Sequence, residues 1–274
     1  MMSSFNNGKF ATIQTFGKDI RKEISLDNIP IVYDAPLWYR LIENDICLDI
    51  FLHLRRQKRT YIFGQDALVE GRSNLPYFYR VKWLNDFTDG SFITFNDPTL
   101  YLDRSLKGGW WQLEGSLQLA AKFITNLLIN LDVTHEHTIF YGASAGGYFS
   151  LACAGLFPKS KIVGDISQVD LPSSPYDYNV PLLQQFGINN FKDIFYYWDI
   201  NQLPSNIYIL MNKGDTSHIS SQLTYFLDHL NTKYHSKGQM IQNLTILRYE
   251  NNDKTLRGHS PWQKDSLIDF LKRL

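Results

Sequence analysis

The sequence predicts an α/β fold: a mostly parallel sheet with helices on both faces and a small cap insertion. Three observations carry this. Short apolar runs end in glycine, as TYIF at 60–63 before Gly64 and TIFYG at 138–142 do, and a buried parallel strand reads this way where it leaves its sheet. Stretches of helical length, amphipathic or rich in small residues, follow such runs. The order strand, loop, helix, strand then repeats without an internal sequence repeat, which suits right-handed crossovers within one sheet.

The elements follow in order. Residues 1–15 are polar and without pattern, and 21–25 and 29–32 are predicted as short strands, with Pro30 suited to a strand start. Across 38–55, ICLDIFLHL has strand composition but a poor period, so its type stays open. After the strand at 60–63, residues 78–83 are predicted to be extended, and SFITF at 91–95 is a strand broken by Asn96, Asp97 and Pro98. KGGWWQ at 107–112 and then Gly115 lead into an amphipathic helix over 117–131. The strand at 138–142 is followed by a helix over 145–156, stopped by Pro158, and by the strand KIVGDI at 161–166. Residues 170–205 hold four prolines and the aromatic run FYYWD at 195–199, and are predicted to be a cap or lid. A strand at 206–211, a helix at 219–232, a strand at 243–250 and a helix at 261–273 complete a single domain spanning 1–274.

Composition bounds the function. With 274 residues, 44% of them hydrophobic, the chain can bury a sizeable core. Lys plus Arg is 27 and Asp plus Glu is 27, so no global field draws it to nucleic acid or an acidic membrane. The one tight basic run, Arg55, Arg56, Lys58 and Arg59, reads as a solvated turn, with a phosphate or polyanion anchor as the alternative. Two cysteines, Cys47 and Cys153, imply neither a disulfide framework nor a CxxC site. No apolar run approaches the roughly 20 residues of a membrane helix, and MMSSFNNGKF lacks a signal-peptide core, so a cytoplasmic protein is expected.

The strongest chemical signal is Gly142-Ala143-Ser144-Ala145-Gly146, a G-x-S-x-G between an apolar strand and a small-residue helix. A sharp strand-to-helix turn crowds the positions two residues either side of the serine, and glycine relieves that crowding. The serine oxygen then projects above the sheet near a helix N-terminus, where developing negative charge is favoured. A phosphate-binding turn or a plain packing turn is the competing reading. The run lacks both the G-K-[ST] ending of one nucleotide loop and the G-x-G-x-x-G of the other.

Such a serine needs a base and an acid, and Asp215 and His259 lie just beyond predicted strands. Asp165, Asp170 and Asp253 are second choices for the acid, and capping of the next helix is the plainer role for Asp215. His218 is the rival base. His135 and His137 precede the serine's strand and so belong at its far end; no metal site is expected of them.

At this point the chain resembles the α/β-hydrolase superfamily over about 58–274, through GASAG at 142–146, Asp215 and His259. More narrowly, FNDPTL at 95–100, GGWW at 108–111 and FYGASAGGY at 140–148 are similar to a bacterial branch associated with surface-polysaccharide synthesis. A more distant relative of that branch is the accessory secretion protein involved in acetylating adhesin glycans. The resemblance implies a Ser144–Asp215–His259 triad and no cofactor. It also implies an oxyanion hole from the Ala145 amide and a second amide in the loop Phe63-Gly64-Gln65-Asp66. That loop lacks the histidine-glycine run of lipases, but Gly64 or Gln65 can donate a backbone N–H. The activity implied is acyl ester hydrolysis or acyl transfer on a small-molecule or carbohydrate acyl ester. A non-catalytic protein with partners in a polysaccharide or secretion assembly is the alternative. Trp110, Trp111, Tyr197 and Trp198 are candidate sugar platforms, with core packing as the other reading. Arg257 is a candidate contact to an anionic substrate.

Overall fold

The computed structural model describes residues 21–68, 75–174, 179–200, 202–251 and 258–274. Within them one sheet contains β1 (Arg21–Ile24), β2 (Pro36–Glu43), β3 (Ile46–His53), β4 (Arg59–Phe63), β5 (Gly90–Phe95), β6 (Thr138–Ala143), β7 (Lys161–Asp165), β8 (Asn206–Asn212) and β9 (Asn243–Tyr249). Their spatial order is β1-β2-β3-β5-β4-β6-β7-β8-β9. From β5 through β4 to β9 every neighbouring pair is parallel. β3 runs antiparallel to both β2 and β5. The predicted mostly parallel sheet is therefore present, with a hairpin on one flank.

That hairpin explains the ambiguous stretch. Asn44 and Asp45 turn it with φ of 49° and 63°, the conformation a two-residue hairpin loop needs. Six of the eight β3 residues are buried, so the alternation that identifies a half-exposed strand is absent. Two expectations fail. Residues 29–32 form no strand, although the Tyr39 hydroxyl ties this stretch to the sheet by donating to the Pro30 carbonyl at 2.6 Å. Residues 78–83 are not extended: a 3-10 helix spans Val81–Asp86, and its buried Val81 and Leu84 stand three apart, the 3-10 repeat.

The helices are α1 (Ser116–Asn130), α2 (Ala145–Leu156), α3 (Val180–Gln185), α4 (Ile194–Asp199), α5 and α6 (Lys264–Arg273). α5 covers 216–234 as Thr216–His218 and Thr224–His229, with π turns at Ile219–Leu223 and Leu230–Tyr234. Strand side chains alternate between two cores. Ile62, Ile93, Phe140 and Ile162 pack with Phe123 of α1, Leu151 of α2 and Phe195 of α4. Tyr61, Phe63, Phe92, Tyr141 and Val163 face the other way, onto Leu84 and the α6 residues Leu267 and Leu271. Each such side chain contributes about 1.5–3 kcal/mol of burial, and the sheet is fastened from both sides. Helices on both faces leave the C-terminal strand ends for the loops after β4, β6, β7, β8 and β9.

The segment predicted as a cap carries α3 and α4, and α4 packs along α2. Gly155 permits the approach: a Cβ there would stand 2.6 Å from the Tyr197 carbonyl oxygen and 2.8 Å from Trp198 Cα. The Trp198 indole donates to the Leu151 carbonyl at 2.7 Å across the same seam. α6 starts at Lys264, later than predicted. The preceding chain is drawn to the sheet, where the Trp262 amide donates to Asp165 at 2.9 Å. Among the described residues no helix is long and apolar enough to cross a membrane.

Candidate active site

β6 ends at Ala143, α2 begins at Ala145, and Ser144 makes the turn between them with φ 53° and ψ −119°. A side-chain-bearing residue holds this conformation only when its surroundings enforce it, at a cost of about 1–3 kcal/mol. The enforcement is visible. The Ser144 amide donates to the Asp165 carbonyl of β7 at 2.9 Å, and its own carbonyl accepts from the Tyr148 amide at 3.2 Å. A Cβ on Gly142 would overlap the Gly146 carbonyl, and one on Gly146 would lie 2.6 Å from Asp66 Oδ1. The crowding inferred from sequence is thus real at Gly142, whereas at Gly146 it comes from the loop after β4.

The loop after β4 lies against this turn. Arg80 donates to Asp66 Oδ2 at 2.6 Å and to the Gly64 carbonyl at 3.2 Å, while Asp66 Oδ1 accepts the Ala143 amide at 3.2 Å. Burial raises the Asp66 pKa, and the Arg80 guanidinium opposes that rise. Sequence offered no sign of this clamp. Pairing with β6 distinguishes the two amides predicted as the second oxyanion donor. The Gly64 N–H is taken by the Tyr141 carbonyl at 3.0 Å, so Gly64 is corrected to a structural role. Gln65 follows it, with its side-chain oxygen accepting the Asp97 amide at 2.6 Å and its side-chain nitrogen buried without a hydrogen-bond partner.

Asp215 and His259 arrive from the ends of β8 and β9. Gly258, at φ 85°, lies so close to Gly214 that any Cβ would overlap it. Asn212 joins the two loops: its amide nitrogen donates to the Asn251 carbonyl at 3.0 Å and the Ser260 carbonyl at 3.2 Å, and its oxygen accepts the Gly214 amide at 3.1 Å. This asparagine, too, went unnoticed in the sequence. The result is a continuous chain. His259 Nδ1 is 2.7 Å from Asp215 Oδ2, and His259 Nε2 is 2.9 Å from Ser144 Oγ. Asp215 is fully buried, whereas the His259 side chain is 13% exposed, so solvent reaches the imidazole and not the carboxylate. An imidazole so placed can take a proton from the hydroxyl while the carboxylate holds its tautomer.

His218, the rival base, enters the same cluster from a different side. Its Nδ1 is 3.0 Å from the second carboxylate oxygen, Oδ1, and its ring stacks on His259 with centroids 4.1 Å apart. Its Nε2 faces Gln168 at 2.9 Å and not the serine. Burial alone would raise the Asp215 pKa, but hydrogen bonds from His218 and His259 hold it well below the usual carboxylate range. Burial lowers the His218 pKa, and its hydrogen bond to Asp215 only partly offsets that. Asp215, His218 and His259 can offer a metal three ligand atoms within 4.8 Å of one another. Each Nδ1 is instead spent on its own carboxylate oxygen.

The other candidates lie elsewhere. Asp165 binds two tyrosines and the Trp262 amide, and Asp170 accepts the Ser173 amide at 3.0 Å. His135 and His137 lie in a turn before β6, at the far end of that strand from Ser144. Trp110 and Trp111 are each 1% exposed, Tyr197 1% and Trp198 2%. They are corrected from sugar platforms to core residues, because a ring that stacks on a sugar must reach solvent. Trp111 lies beside Phe149 at 4.7 Å, and the Trp110 indole donates to Gln168 at 3.2 Å. Arg257 and Asp253 lie outside the described residues. Gln168 was missed: it follows β7, with its amide oxygen and nitrogen each 3.1 Å from Ser144 Oγ.

No protein-family model matches the chain, and no curated protein matches it in sequence. Solved structures do match. The capsule O-acetyltransferase of Neisseria meningitidis serogroup A aligns with a TM-score of 0.54 and 16% identity, over 85% of this chain and 94% of that one. A chain of the glycosylation-associated protein complex from Streptococcus agalactiae aligns with a TM-score of 0.58 and 14% identity, over 85% of this chain and 44% of that one. The acetyl xylan esterase from Paenibacillus sp. R4 aligns with a TM-score of 0.51 and 12% identity, over 83% and 80%. At these identities the likeness establishes the α/β-hydrolase fold and nothing finer.

Proposed function

We propose that the chain is a serine-dependent acyl ester hydrolase or acyltransferase, with Ser144 as nucleophile, His259 as general base and Asp215 as the residue that orients it. The observation that carries this is the unbroken hydrogen-bonded path from Ser144 Oγ through His259 to Asp215. It stands at a serine whose backbone is strained in the manner a nucleophile elbow requires.

His259 Nε2 accepts the hydroxyl proton as Oγ attacks the acyl carbonyl carbon, and Asp215 stabilises the imidazolium through Nδ1–H. The oxyanion meets the backbone amides of Ala145, at the start of α2, and of Gln65. Loss of one such donor costs about 3 kcal/mol in comparable sites. His259 returns the proton to the departing alcohol, leaving Ser144 acylated. Water, or the hydroxyl of an acceptor, then gives up a proton to His259 and takes the acyl group, restoring the serine.

An acylated carbohydrate is the proposed substrate. The shared fold with a capsule O-acetyltransferase and an acetyl xylan esterase supports it. The second reading, a non-catalytic component of a glycosylation assembly, draws on the likeness to the Streptococcus agalactiae complex. A scaffold has no use for a strained serine hydrogen-bonded to an imidazole.

The test is labelling with a fluorophosphonate, run beside a screen of acetylated sugars and short acyl esters. Wild-type protein is expected to take one label at Ser144 and to turn over an ester. S144A is expected to lose both, with kcat falling by about 10⁶-fold. Folded wild-type protein that takes no label would falsify the enzyme reading in favour of the scaffold.

A further inference from the structure

Behind the path from serine to acid runs a second one. Asp215 Oδ1 is 3.0 Å from His218 Nδ1, His218 Nε2 is 2.9 Å from Gln168 Nε2, and Gln168 stands 3.1 Å from Ser144 Oγ. With the first path it closes a ring of five side chains: Ser144, His259, Asp215, His218 and Gln168. All but Ser144 and His259 are buried to within 1% of exposure.

The donors fix the direction of each bond. A carboxylate only accepts, so His218 Nδ1 carries a proton, and in the neutral ring its Nε2 keeps a lone pair. Gln168 therefore turns its NH₂ toward His218. The other end agrees: the Trp110 indole is a donor only, and it contacts Gln168 Oε1 at 3.2 Å. With its oxygen held by Trp110 and one N–H held by His218, Gln168 offers its second N–H to Ser144 Oγ. The hydroxyl proton then goes to His259 Nε2 at 2.9 Å rather than to Gln168 Oε1 at 3.1 Å.

We propose that His218 is a positioning residue for the reaction. Through Gln168 it aims the Ser144 proton at His259, and through Oδ1 it sets the carboxylate plane so that Oδ2 meets His259. This rests on Ser144 being the nucleophile. The burial that lowers the His218 pKa is consistent with a neutral ring. Sequence placed His218 as a rival of His259; the structure makes it a support.

The experiment compares H218F, H218Q, Q168L and the double variant H218F/Q168L by the rate of fluorophosphonate labelling and by kcat and KM on a short acyl ester. H218F keeps a ring against His259 but neither donates to Asp215 nor accepts from Gln168. It is expected to lower the labelling rate and kcat by about 10–100-fold with KM nearly unchanged, the scale of a misaimed catalytic group. The glutamine in H218Q can do both jobs and is expected to recover part of that loss. The double variant is expected to fall no further than H218F, because both changes cut one path. Losses that multiply, or a folded H218F that labels at the wild-type rate, overturn the proposal. Should H218F not fold, ¹⁵N NMR of wild-type imidazoles at neutral pH decides. A neutral His218 protonated on Nδ1 is expected, and protonation on Nε2 overturns it. Wild-type protein without label sinks the serine-enzyme reading itself, whereas labelled wild type with an unaffected H218F sinks only this inference.

Discussion

Two carboxylates stand at the ends of adjacent strands: Asp165 closes β7, and Asp215 follows β8. Both are 0% exposed, yet they are pushed in opposite directions. Burial raises Asp165 to about 7, and hydrogen bonds from Tyr249, the Trp262 amide and Tyr141 only moderate the rise. Burial would raise Asp215 too, but two imidazoles reverse the sign. The difference lies in what the partner can become. A phenol or an amide brings Asp165 a hydrogen bond and no charge, whereas the imidazoles of His218 and His259 lower Asp215 first through their hydrogen bonds, and His259 adds a charge when it is protonated. Asp215 is thus held as a carboxylate at a pH where Asp165 still keeps its proton. Asp165 serves as a knot, joining β6, β9 and the chain before α6.

Three substitutions can break or sharpen this contrast. The largest effect is expected from D215N, which leaves the shape but lets the amide stabilise the wrong tautomer of His259. kcat on a short acyl ester should fall about 10⁴-fold, and a loss under tenfold would mean that another group is the acid. The same change at the other carboxylate should act on stability instead. D165N is expected to keep kcat within about threefold of wild type, since the Asp165 carboxylate reaches the site only indirectly, through Tyr249 and the Ser260 carbonyl.

The pH dependence of stability carries the sign. Asp165 titrates near 4 in an unfolded chain and at about 7 in the fold, so the folded state holds its proton more tightly. Its contribution is complete below about pH 4 and is lost as pH rises to about 7. Urea midpoints of wild type should decline across that window more steeply than those of D165N, and parallel curves would assign the decline to other groups. Asp215 has the opposite sense: its contribution is present above about pH 4 and is lost on acidification below it.

The smallest effect is expected from Y249F. It removes bonds of 2.6 Å to Asp165 and 2.8 Å to the Ser260 carbonyl, and should cost about 1–2 kcal/mol in thermal or urea unfolding. Because Ser260 adjoins His259, a modest drop in kcat is also expected. A stability loss with kcat untouched would separate the knot from the site altogether.

Much of the sheet was legible, because its parallel strands read as short runs rich in β-branched and aromatic residues bounded by glycine or polar residues. β4, β5, β6, β7, β8 and β9 begin and end within a residue or so of the predicted runs. The hairpin of β2 and β3 was harder, since burial on both faces erases the period. Residues 78–83 misled because their aromatic content suits a strand while Val81 and Leu84 keep the 3-10 repeat. The tryptophans of KGGWWQ misled in another way: composition cannot tell a ring that faces solvent from one that faces a core.

By itself the sequence determined what depends on neighbours along the chain. That includes the strand-to-helix turn at Ser144, where Gly142 is demanded by the backbone of Gly146 four residues on, and the nomination of Asp215 and His259 as groups following strands. Only the tertiary structure decided which carboxylate meets imidazoles and which meets phenols, that Gln168 and His218 stand behind the serine, and that Arg80 and Asn212 hold the loops. Those outcomes depend on the register of strands brought together from remote parts of the chain. A shift of one residue there would exchange every partner while leaving the local pattern unchanged.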